Sequence, residues 1–206
     1  MSGACVYLVD DQPAVLQALA RLLKSAGFTV QAFASARAFL DSGSAAAAGC
    51  LVLDLSMPEM SGLDLQQELA RRASTLPLVF LTGHGDIDSG VRAMKLGAVD
   101  FLTKPVDDRR LLDAVQQALA RNASARAGDA ERDELRQRLA SLTPREREVM
   151  ALVAQGLLNK QVADALGMAE KTVKVHRARV MQKMQVRSVP ALVRLVDRLG
   201  GDGATL

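Results

Sequence analysis

Five polar residues of the kinds that phosphoryl chemistry requires each stand at or just after the end of a short apolar run: Asp10, Asp11, Asp54, Thr82 and Lys104. Carboxylates that converge at one place repel one another, so that either one pKa rises or a cation binds. A few carboxylates with water suit Mg²⁺, and a lysine and a hydroxyl beside them can neutralise phosphoryl oxygens. A central carboxylate in such a set can act as a nucleophile and form an acyl phosphate.

Each of these residues also has an ordinary explanation when it is taken alone. Asp11 can be the N-cap of a helix that starts near Pro13, and Asp54 can be a loop aspartate. Thr82 can belong to a turn at a strand end, and Lys104 can be a solvated surface lysine. The ordered set is much more specific than any of its members.

The elements that must position these residues follow from the hydrophobic pattern. Apolar runs predict five strands, at Cys5–Val9, Thr29–Phe33, Cys50–Leu53, Leu78–Leu81 and Asp100–Thr103. Helical spacing separates them: Pro13 can open a first helix that Gly27 can close, and further helices are expected near 35–41, 62–72, 87–96 and 107–121. This alternation predicts a doubly wound five-stranded parallel sheet of the α/β class, covered on both faces. Ligands bind beyond the carboxyl ends of strands in such folds, where the five polar residues lie.

Four runs of sequence resemble the receiver domains of two-component response regulators, which have a flavodoxin-like fold. They are YLVDDQP, LVLDLSMPEMSGLDL, VFLTGHGD and AVDFLTKP, and the resemblance spans about residues 4–121. It implies that Asp54 is the phosphoacceptor. It also implies that Mg²⁺ is the cofactor, held by Asp10, Asp11, Asp54 and the backbone carbonyl of Ser56.

The same resemblance assigns the remaining residues of the pocket. Lys104 pairs with the phosphoryl group, Thr82 binds it through its hydroxyl, and the bond from Lys104 to Pro105 is expected to be cis. Phe101 matches the aromatic switch position, although a plain core phenylalanine is the competing interpretation. Phosphorylation would draw Thr82 toward the new charge and leave space for Phe101, which shifts the population between two existing states.

The second half of the chain predicts a small all-α domain. LTPRE (Leu142–Glu146) is a helix start, with Thr143 as cap, Pro144 at the first position and Glu146 completing a capping box, and Gly156 ends that helix. Helices are expected at Asn159–Leu166 and Glu170–Met184, joined by the turn Gly167–Ala169, which together make a helix-turn-helix. On the last of these, Val173, Val180, Met181 and Met184 are assigned to the core.

This half resembles the LuxR/FixJ type of DNA-binding domain over about residues 141–200. The resemblance implies that Glu170–Met184 enters the major groove, with base contacts from Lys174, Val175 and Arg177. Phosphate contacts are expected from Lys160, Lys171, Thr172, Arg179 and Lys183. A solvated basic face is the competing interpretation. Ala169 departs from the pattern, because a capping Ser or Thr is common there.

Charge and chain organisation agree with two functional halves. Residues 1–125 carry 11 basic and 13 acidic side chains, whereas residues 126–206 carry 15 and 10. An acidic N-terminal part and a basic C-terminal part suggest that the C-terminal part binds a polyanion. The expected domains are a receiver at 1–121, a partly helical linker at 122–141 whose first part, Asn122–Asp129, is flexible, and a DNA-binding domain at 142–206.

The last predicted helix, Val189–Leu199, carries an apolar stripe that is wide for one edge of a small domain: Leu192, Val193, Leu195, Val196 and Leu199. It resembles the dimerisation helix of the family, and packing in the core is the competing interpretation. Two copies of the domain would match two half-sites about one helical turn apart.

Composition excludes several other classes of protein. Cys5 and Cys50 have no metal-ligand spacing and are expected to be small buried residues. His84 and His176 belong to no ligand cluster, so a metal role is not expected for either. The absence of Trp and the single Tyr argue against base stacking on single strands. No stretch has the apolar length of a membrane span, and the start has no signal-peptide pattern, so a cytoplasmic location is expected.

The pattern therefore favours a phosphorylation-dependent transcriptional regulator rather than an enzyme, since a receiver acts only on its own phosphorylation. The expected partners are a sensor histidine kinase, double-stranded promoter DNA, RNA polymerase and, after phosphorylation, a second copy of the chain. HGDI and VRAMKLGAVDFLTKP are close to activators of metabolic operons, so activation is expected by analogy. Two alternatives stay open: a phosphatase-like hydrolase, which usually carries a second acid where Ser56 stands, and a constitutive DNA-binding protein whose receiver only mediates contacts.

Overall fold

The computed structural model describes residues 4–83 and 87–200, with side chains described as far as Asp197. His84 therefore lies outside the described residues. The chain forms two compact units, Met1–Ala127 and Gly128–Leu206. None of the described helices combines the length and the apolar character that crossing a bilayer requires.

The first unit contains the predicted parallel sheet. Its strands run in the order β2-β1-β3-β4-β5 and every neighbouring pair is parallel. The strands are β1 (Cys5–Val9), β2 (Thr29–Phe33), β3 (Gly49–Asp54), β4 (Leu78–Thr82) and β5 (Asp100–Thr103). This confirms the predicted fold class, with β3 and β4 extended to include Asp54 and Thr82.

Helices cover both faces of this sheet. They are α1 (Pro13–Ser25), α2 (Ala36–Asp41), α3 (Gly62–Arg71), α4 (Ile87–Lys95) and α5 (Asp108–Ala140), with a short 3₁₀ turn at Ser44–Ala46. Alternate residues of a strand point to opposite faces. Tyr7 accordingly packs in one apolar cluster with Phe39 and Phe80, while Val6 packs in the other with Leu23 and Val115. Burial on both faces explains why the central strands β1, β3 and β4 are mostly apolar. The edge strands β2 and β5 are less buried and include Gln31 and Asp100.

Strand register brings the ends of the central strands to one edge. Asp54 is paired with Leu81, Thr82 is paired with Thr103, and Asp10 directly follows the last residue of β1. Parallel strands end at the same edge, so the candidate residues are collected there by topology and not by closeness in sequence.

Helix α5 differs from the prediction. It was expected to end near residue 121 and to be followed by a flexible segment at Asn122–Asp129, but it continues to Ala140. Ala, Arg, Glu, Gln and Leu dominate this stretch, and these residues favour helices strongly enough to accommodate the single Gly128. Ion pairs one turn apart add support, at Arg132–Asp129, Arg136–Asp133 and Arg138–Glu134.

A buried asparagine secures the extension of α5. Asn122 is 2% exposed, its Oδ1 accepts a 3.0 Å hydrogen bond from the Gly49 amide, and its Nδ2 donates at 3.3 Å to the Thr75 carbonyl. Arg126, one turn later, donates to the Ala46 carbonyl at 3.2 Å. These contacts hold residues 122–126 against the rest of the first unit, and a flexible linker cannot begin there.

The described part of the second unit, residues 128–200, has helices and no strand, as predicted. After the last turns of α5 come α6 (Pro144–Ala154), α7 (Asn159–Leu166), α8 (Glu170–Lys183) and α9 (Val189–Gly200). The capping box is present, since the Thr143 hydroxyl accepts from the Glu146 amide and the Glu146 carboxylate accepts from the Thr143 amide. Val173, Val180 and Met184 are buried in the core of this unit, with Met181 packed against it.

The apolar stripe of α9 is used mainly for packing. Leu192 is 0% and Val196 is 8% exposed, both within the core of the unit, and Leu195 packs against that core. The side chain of Leu199 lies outside the described residues. For the described side chains the competing interpretation, core packing, therefore explains most of the stripe, and Val193 is the half-exposed member that is left.

Candidate functional site

The centre of the acidic site is a lysine held between two aspartates. The Nζ atom of Lys104 lies 2.6 Å from Oδ2 of Asp10 and 2.6 Å from Oδ1 of Asp54. The two carboxylates are only 3% and 5% exposed, and the lysine is 18% exposed. The structure thus brings together three of the five predicted residues in direct contact, from the ends of β1, β3 and β5.

Backbone amides also donate hydrogen bonds to both carboxylates. Oδ1 of Asp10 accepts a 2.9 Å hydrogen bond from the Gln12 amide, and Oδ2 of Asp54 accepts a 2.9 Å bond from the Ser56 amide. Ser56 was expected to contribute its carbonyl oxygen to a metal ion. The described contact is made by its N–H, and the role of the carbonyl stays a prediction.

Burial and charge act in opposite directions on these groups. Burial raises the pKa of Asp54 above its ordinary value, and the charge of Asp10 adds to this, while the hydrogen bond and charge of Lys104 oppose it. Burial by itself would lower the pKa of Lys104, but the two carboxylates outweigh it and raise that pKa. Lys104 therefore stays a cation and compensates part of the negative charge at the site.

Asp11 has an unmet acceptor. Its Oδ1 atom is buried and has no hydrogen-bond partner among the described residues. The alternative role as a helix cap is not what the structure shows, because Gln12 is the N-cap of α1 and no side chain caps that helix. A buried carboxylate oxygen without a partner is costly, and a hard cation would satisfy it.

The donor set fits Mg²⁺ only with help from water and main-chain oxygens. Among the residues that the structure describes, no group of three or more His, Cys, Asp or Glu side chains is ready to hold a metal ion. Mg²⁺ commonly keeps several waters and binds through one or two carboxylates and substrate phosphate. The carboxylates of Asp10, Asp11 and Asp54 are consistent with that mode.

Close packing fixes the strand that carries Asp54. The first residue of α3 is Gly62, and a Cβ atom there would lie 2.5 Å from the Asp54 carbonyl oxygen and 2.9 Å from the ring of Phe80. Only glycine lets α3 approach so closely, and the Gly62 amide in turn donates to the Leu55 carbonyl at 2.9 Å. The helix thereby holds the Asp54 backbone in place.

The predicted switch residues lie on β4, which pairs with β3, and on β5, the next strand beyond it. Thr82 is 1% exposed at the end of β4, and its carbonyl accepts a 2.7 Å bond from the Lys104 amide. The bond from Lys104 to Pro105 is cis, as expected. Phe101 on β5 is half-buried, with its ring centroid 6.2 Å from that of Phe80. Their switching roles stay predictions.

An apolar groove lies on the α4–β5 side of the same unit. Its volume is about 510 Å³, and its lining comprises Ile87, Gly90, Val91, Met94, Lys95, Phe101 and Thr103. Three large apolar side chains of α4 face solvent there, since Ile87 is 80%, Val91 is 47% and Met94 is 46% exposed. Exposed apolar patches of this kind commonly mark interaction surfaces.

Helix α8 of the second unit presents the predicted DNA-contacting residues on its exposed side. Lys171, Thr172, Lys174 and Arg179 are exposed, as is Lys160 on α7, and Val175 is 45% exposed. Lys174 makes a 3.1 Å ion pair with Glu170 one turn earlier, which is exposed and therefore weak. Ala169 is the N-cap and forms no side-chain cap, as its type implied.

Two of the predicted DNA-binding residues have intramolecular partners that the sequence did not indicate. Arg177 is half-buried and donates a 2.8 Å hydrogen bond to Oδ1 of Asn159, the first residue of α7. This bond ties α8 to the start of α7. A base contact by Arg177 stays a prediction and would compete with the bond to Asn159.

Lys183 forms the stronger of these internal contacts. Its Nζ atom lies 2.6 Å from Oε2 of Glu146, whose side chain is 3% exposed, and 2.9 Å from the carbonyl oxygen of Ser141. The hydrogen bond from Lys183, with that of the Thr143 amide, lowers the pKa of Glu146. Lys183 therefore joins the end of α8 to the start of α6, whatever it also contributes to phosphate binding.

Comparison with known families identifies both units. The family described as "Response regulator receiver domain" matches residues 6–116. The family described as "Bacterial regulatory proteins, luxR family" matches residues 140–196. Each match includes the residues from which its unit's candidate site is built.

Similar curated proteins match almost the whole chain. "Response regulator protein TmoT" of Ectopseudomonas mendocina is 47% identical over 194 residues, which cover 94% of this chain and 88% of the relative. "Nodulation protein W" of Bradyrhizobium diazoefficiens is 49% identical over 197 residues, covering 96% and 87%. "Transcriptional regulatory protein FixJ" of Azorhizobium caulinodans is 45% identical over 190 residues, covering 92% and 90%.

Solved structures agree with this assignment. The structure of the response regulator StyR has a TM-score of 0.91 at 48% identity, covering 96% of this chain and 100% of that one. Full-length FixJ from B. japonicum has a TM-score of 0.60 at 42% identity, covering 97% and 98%. The chain belongs to the response regulators that join a receiver domain to a LuxR-type DNA-binding domain, and it is a transcriptional regulator close to FixJ.

Proposed function

We propose that Asp54 accepts a phosphoryl group from a sensor histidine kinase, and that this event switches the protein to a DNA-binding form. The observation that carries the proposal is the bridge of Lys104 between Asp10 and Asp54. It places a cation directly beside the proposed nucleophile, where it can pair with incoming phosphoryl oxygens. We take 1–121 as the receiver, 122–141 as a partly helical linker and 142–206 as the DNA-binding domain.

Mg²⁺ is the proposed cofactor, held by Asp10, Asp11 and Asp54 with the Ser56 carbonyl and water. When bound, it supplies the positive charge that neutralises the phosphoryl oxygens during transfer. The protein's own residues do the rest: Asp54 supplies the attacking oxygen, and the Ser56 amide fixes the orientation of that carboxylate. Lys104 changes partner from carboxylate to phosphoryl oxygen.

The proposed switch runs from Thr82 to Phe101. A phosphoryl group on Asp54 adds nearly two negative charges and strong acceptor oxygens. Thr82, at the end of the strand next to Asp54, donates its hydroxyl to that group and moves toward it. The Phe101 ring follows into the vacated space, which alters the α4–β5 surface as a population shift between two states.

Dimerisation is the proposed output of this change. Ile87, Val91 and Met94 form an exposed apolar face beside the groove at Phe101, and we propose that this face contacts a second copy after phosphorylation. Two copies would present two recognition helices to adjacent half-sites on promoter DNA. In a bacterial cell this takes place in the cytoplasm, with RNA polymerase as partner and activation as the proposed outcome.

DNA contacts are proposed on the exposed side of α8. Lys174 and Val175 would read base edges, the latter through apolar contact with a thymine methyl. Lys160, Lys171, Thr172 and Arg179 would hold phosphates and fix the register, with Arg177 and Lys183 as further predicted contacts. The base-reading residues set specificity, and the others set overall affinity and its salt dependence.

The experiment that tests phosphorylation uses the full chain with acetyl phosphate and Mg²⁺. Asp54→Asn removes the nucleophilic oxygen, so we expect incorporation to fall at least about 100-fold, as measured by intact-protein mass and phosphate-affinity gels. Asp113→Asn, an exposed aspartate on α5, serves as the matched control and should behave like the wild type. In reporter cells Asp54→Asn should not induce transcription of the reporter gene.

Undiminished incorporation in Asp54→Asn would contradict the assignment of the nucleophile. A phosphatase-like hydrolase is the other candidate considered, and such enzymes usually carry a second acid two residues after the nucleophile. That position is Ser56, which cannot serve as a general acid at neutral pH. Steady turnover of a phosphate ester by the purified protein would favour the hydrolase.

A further inference from the structure

One glycine of α4 has no backbone conformation that calls for a glycine. Gly90 lies inside the helix, and its φ is outside the left-handed region that favours this residue. Glycine inside a helix destabilises it relative to alanine. Gly128 is the other glycine in the interior of a described helix, and no atom of the described residues lies within 4 Å of the place where its Cβ would be. Gly90 differs, because its missing Cβ would meet another side chain.

That side chain is Phe101, the proposed switch residue on β5. A Cβ atom at Gly90 would lie 3.3 Å from two carbons of the Phe101 ring, Cδ1 and Cε1, and 3.6 Å from Cζ. The best separation of two carbon atoms is about 3.5–4.0 Å, so two of these three contacts would be too short. The Phe101 ring therefore occupies space that a side chain at position 90 would need.

The ring lies in an outer position in this structure. Phe101 is half-buried and packs against the core cluster that contains the buried Phe80, with 6.2 Å between the two ring centroids. Gly90 and Phe101 also line the apolar groove on the α4–β5 side together. The inward position that the proposed switch requires takes the ring out of this groove, so the contact with Gly90 belongs to the outer position alone.

We propose that Gly90 is a positioning residue: its missing side chain admits the Phe101 ring to the outer position and so keeps the unphosphorylated receiver in the inactive state. This inference rests on the proposed Thr82–Phe101 switch and names the residue of α4 that sets its balance. A methyl group at position 90 would disfavour the outer position of the ring and leave the inward position unaffected. The population would then move toward the active state with no change at Asp54.

The first test observes the ring by NMR in the full chain. The chain has five phenylalanines, so labelling their rings with carbon-13 gives a simple spectrum in which Phe101 is assigned from its absence in Phe101→Ala. In the wild type we expect the Phe101 signals to move when Mg²⁺ and beryllofluoride, an acyl-phosphate mimic, are added. In Gly90→Ala without the mimic, the signals should already lie partway along the same path, or divide between its two ends if exchange is slow.

Gly128→Ala is the matched control for this test. It makes the same substitution in the interior of a helix and favours helix formation in the same way, but its new methyl group meets no described atom within 4 Å. We expect the Phe101 signals of this variant to stay at the wild-type position. A purely local effect of the methyl group in Gly90→Ala would move the signals in a direction unrelated to that produced by the mimic.

The second test measures the switch equilibrium through binding of the mimic. A ligand that prefers the active state binds more tightly when more of the protein is already in that state, and we expect Gly90→Ala to bind beryllofluoride about threefold more tightly than the wild type. The fluorine NMR signal of the bound mimic reports binding and also shows that the pocket is folded. In a Phe101→Ala background, Gly90→Ala should leave the affinity unchanged, because the ring that the methyl group would displace is gone.

The outcomes separate this inference from the proposed function. If the wild type responds to the mimic and Gly90→Ala matches Gly128→Ala in ring position and affinity, Gly90 has no part in the switch and the proposed function stands. Weaker binding of the mimic by Gly90→Ala, or an equal gain in affinity in the Phe101→Ala background, would also overturn the inference. If the wild type neither binds the mimic nor takes up phosphate at Asp54, the proposed function fails together with it.

Discussion

At the scale of single residues, the chemistry of the receiver depends on how Lys104 shares its charge. It bonds to Asp10 and Asp54 at 2.6 Å each, so neither carboxylate is left as a buried, uncompensated anion. The types and order of these residues were enough to predict that they converge. The sequence could not show that Lys104 bridges the two carboxylates, because a residue's position along the chain does not determine which partner its side chain selects.

The same limit applies to the DNA-binding unit. Lys183 and Glu146 are 37 residues apart in the chain, and Arg177 and Asn159 are 18 apart. Helical periodicity shows which face a residue is on, but it does not show which charged residue of another helix lies opposite. Lys183 was therefore predicted only as a phosphate contact, and its ion pair with Glu146 was missed. The signal in the sequence was the place of Glu146 in the predicted capping box, which does not identify its ion-pair partner.

The division of roles on α8 makes a direct prediction for DNA binding. Lys174→Ala should cost about 1–3 kcal/mol at the cognate site and relax base preference, because it removes the proposed base-edge contact. Arg179→Ala changes an exposed position on the same helix. It should instead weaken binding to all DNA sequences alike and reduce the slope of log affinity against log salt concentration by about one. Titration of both variants against cognate and scrambled duplexes at several salt concentrations checks this. If Lys174→Ala lost the same affinity for every duplex, the proposed base contact would be refuted.

A second prediction concerns the ion pair between Lys183 and Glu146. Lys183→Ala leaves a buried carboxylate without its cation and should reduce the free energy of unfolding by about 2 kcal/mol, less than for a fully buried pair because Lys183 is one-third exposed. Urea denaturation followed by circular dichroism measures this. Lys171→Ala, an exposed lysine on the same helix, should change stability by less than about 0.5 kcal/mol.

The pair also predicts a pH dependence. Because the pKa of Glu146 is lowered in the folded state, its contribution to stability is present above its ordinary value of about 4.3 and is lost as the pH falls through the lowered value. The difference in unfolding free energy between wild type and Glu146→Gln should therefore shrink below about pH 4. If the difference in unfolding free energy stayed constant down to about pH 3, the pKa of Glu146 would not be lowered by its ion pair with Lys183.

At the scale of elements, the strands were predicted almost to the residue and α5 was not. Short, wholly apolar runs bounded by Gly, Pro and polar residues define buried parallel strands well. The stretch after residue 121 has small polar residues and Gly128, which is typical of a linker. Its high content of Ala and Arg, together with contacts from Asn122 to residues more than 40 positions away, made it helical instead. Asparagine is a weak helix former, and its presence in a helical stretch was a signal of a specific partner.

The anchoring of α5 can be tested through Asn122. Asn122→Leu leaves the buried Gly49 amide without a partner and removes the hydrogen bond to the carbonyl of the exposed Thr75, so we expect the receiver to lose about 2 kcal/mol of unfolding free energy. Amide exchange at Gly49 and at residues 122–127 should rise. Gln117→Leu, at an exposed position of the same helix, is the control. If exchange at these positions were the same in Asn122→Leu and the control, the extension of α5 would not depend on this contact.

At the scale of the whole molecule, the two units divide recognition between them. The first 125 residues carry a small net negative charge and contain the acidic site, whereas the remainder carries a net positive charge and has exposed cations on α7 and α8, namely Lys160, Lys171, Lys174 and Arg179. The family comparisons agree with this division, since a receiver and a LuxR-type domain match the two parts in turn. The central claim that remains is that chemistry at Asp54 controls assembly and DNA binding.

The measurement that tests this claim most directly is solution mass by light scattering, with and without Mg²⁺ and beryllofluoride. The chain has a mass of 22.0 kDa. We predict that the wild type shifts from this mass to twice this mass when the mimic is added, and that Asp54→Asn keeps the monomer mass under both conditions. A wild-type mass that does not change, or a shift that Asp54→Asn shares, would contradict the account.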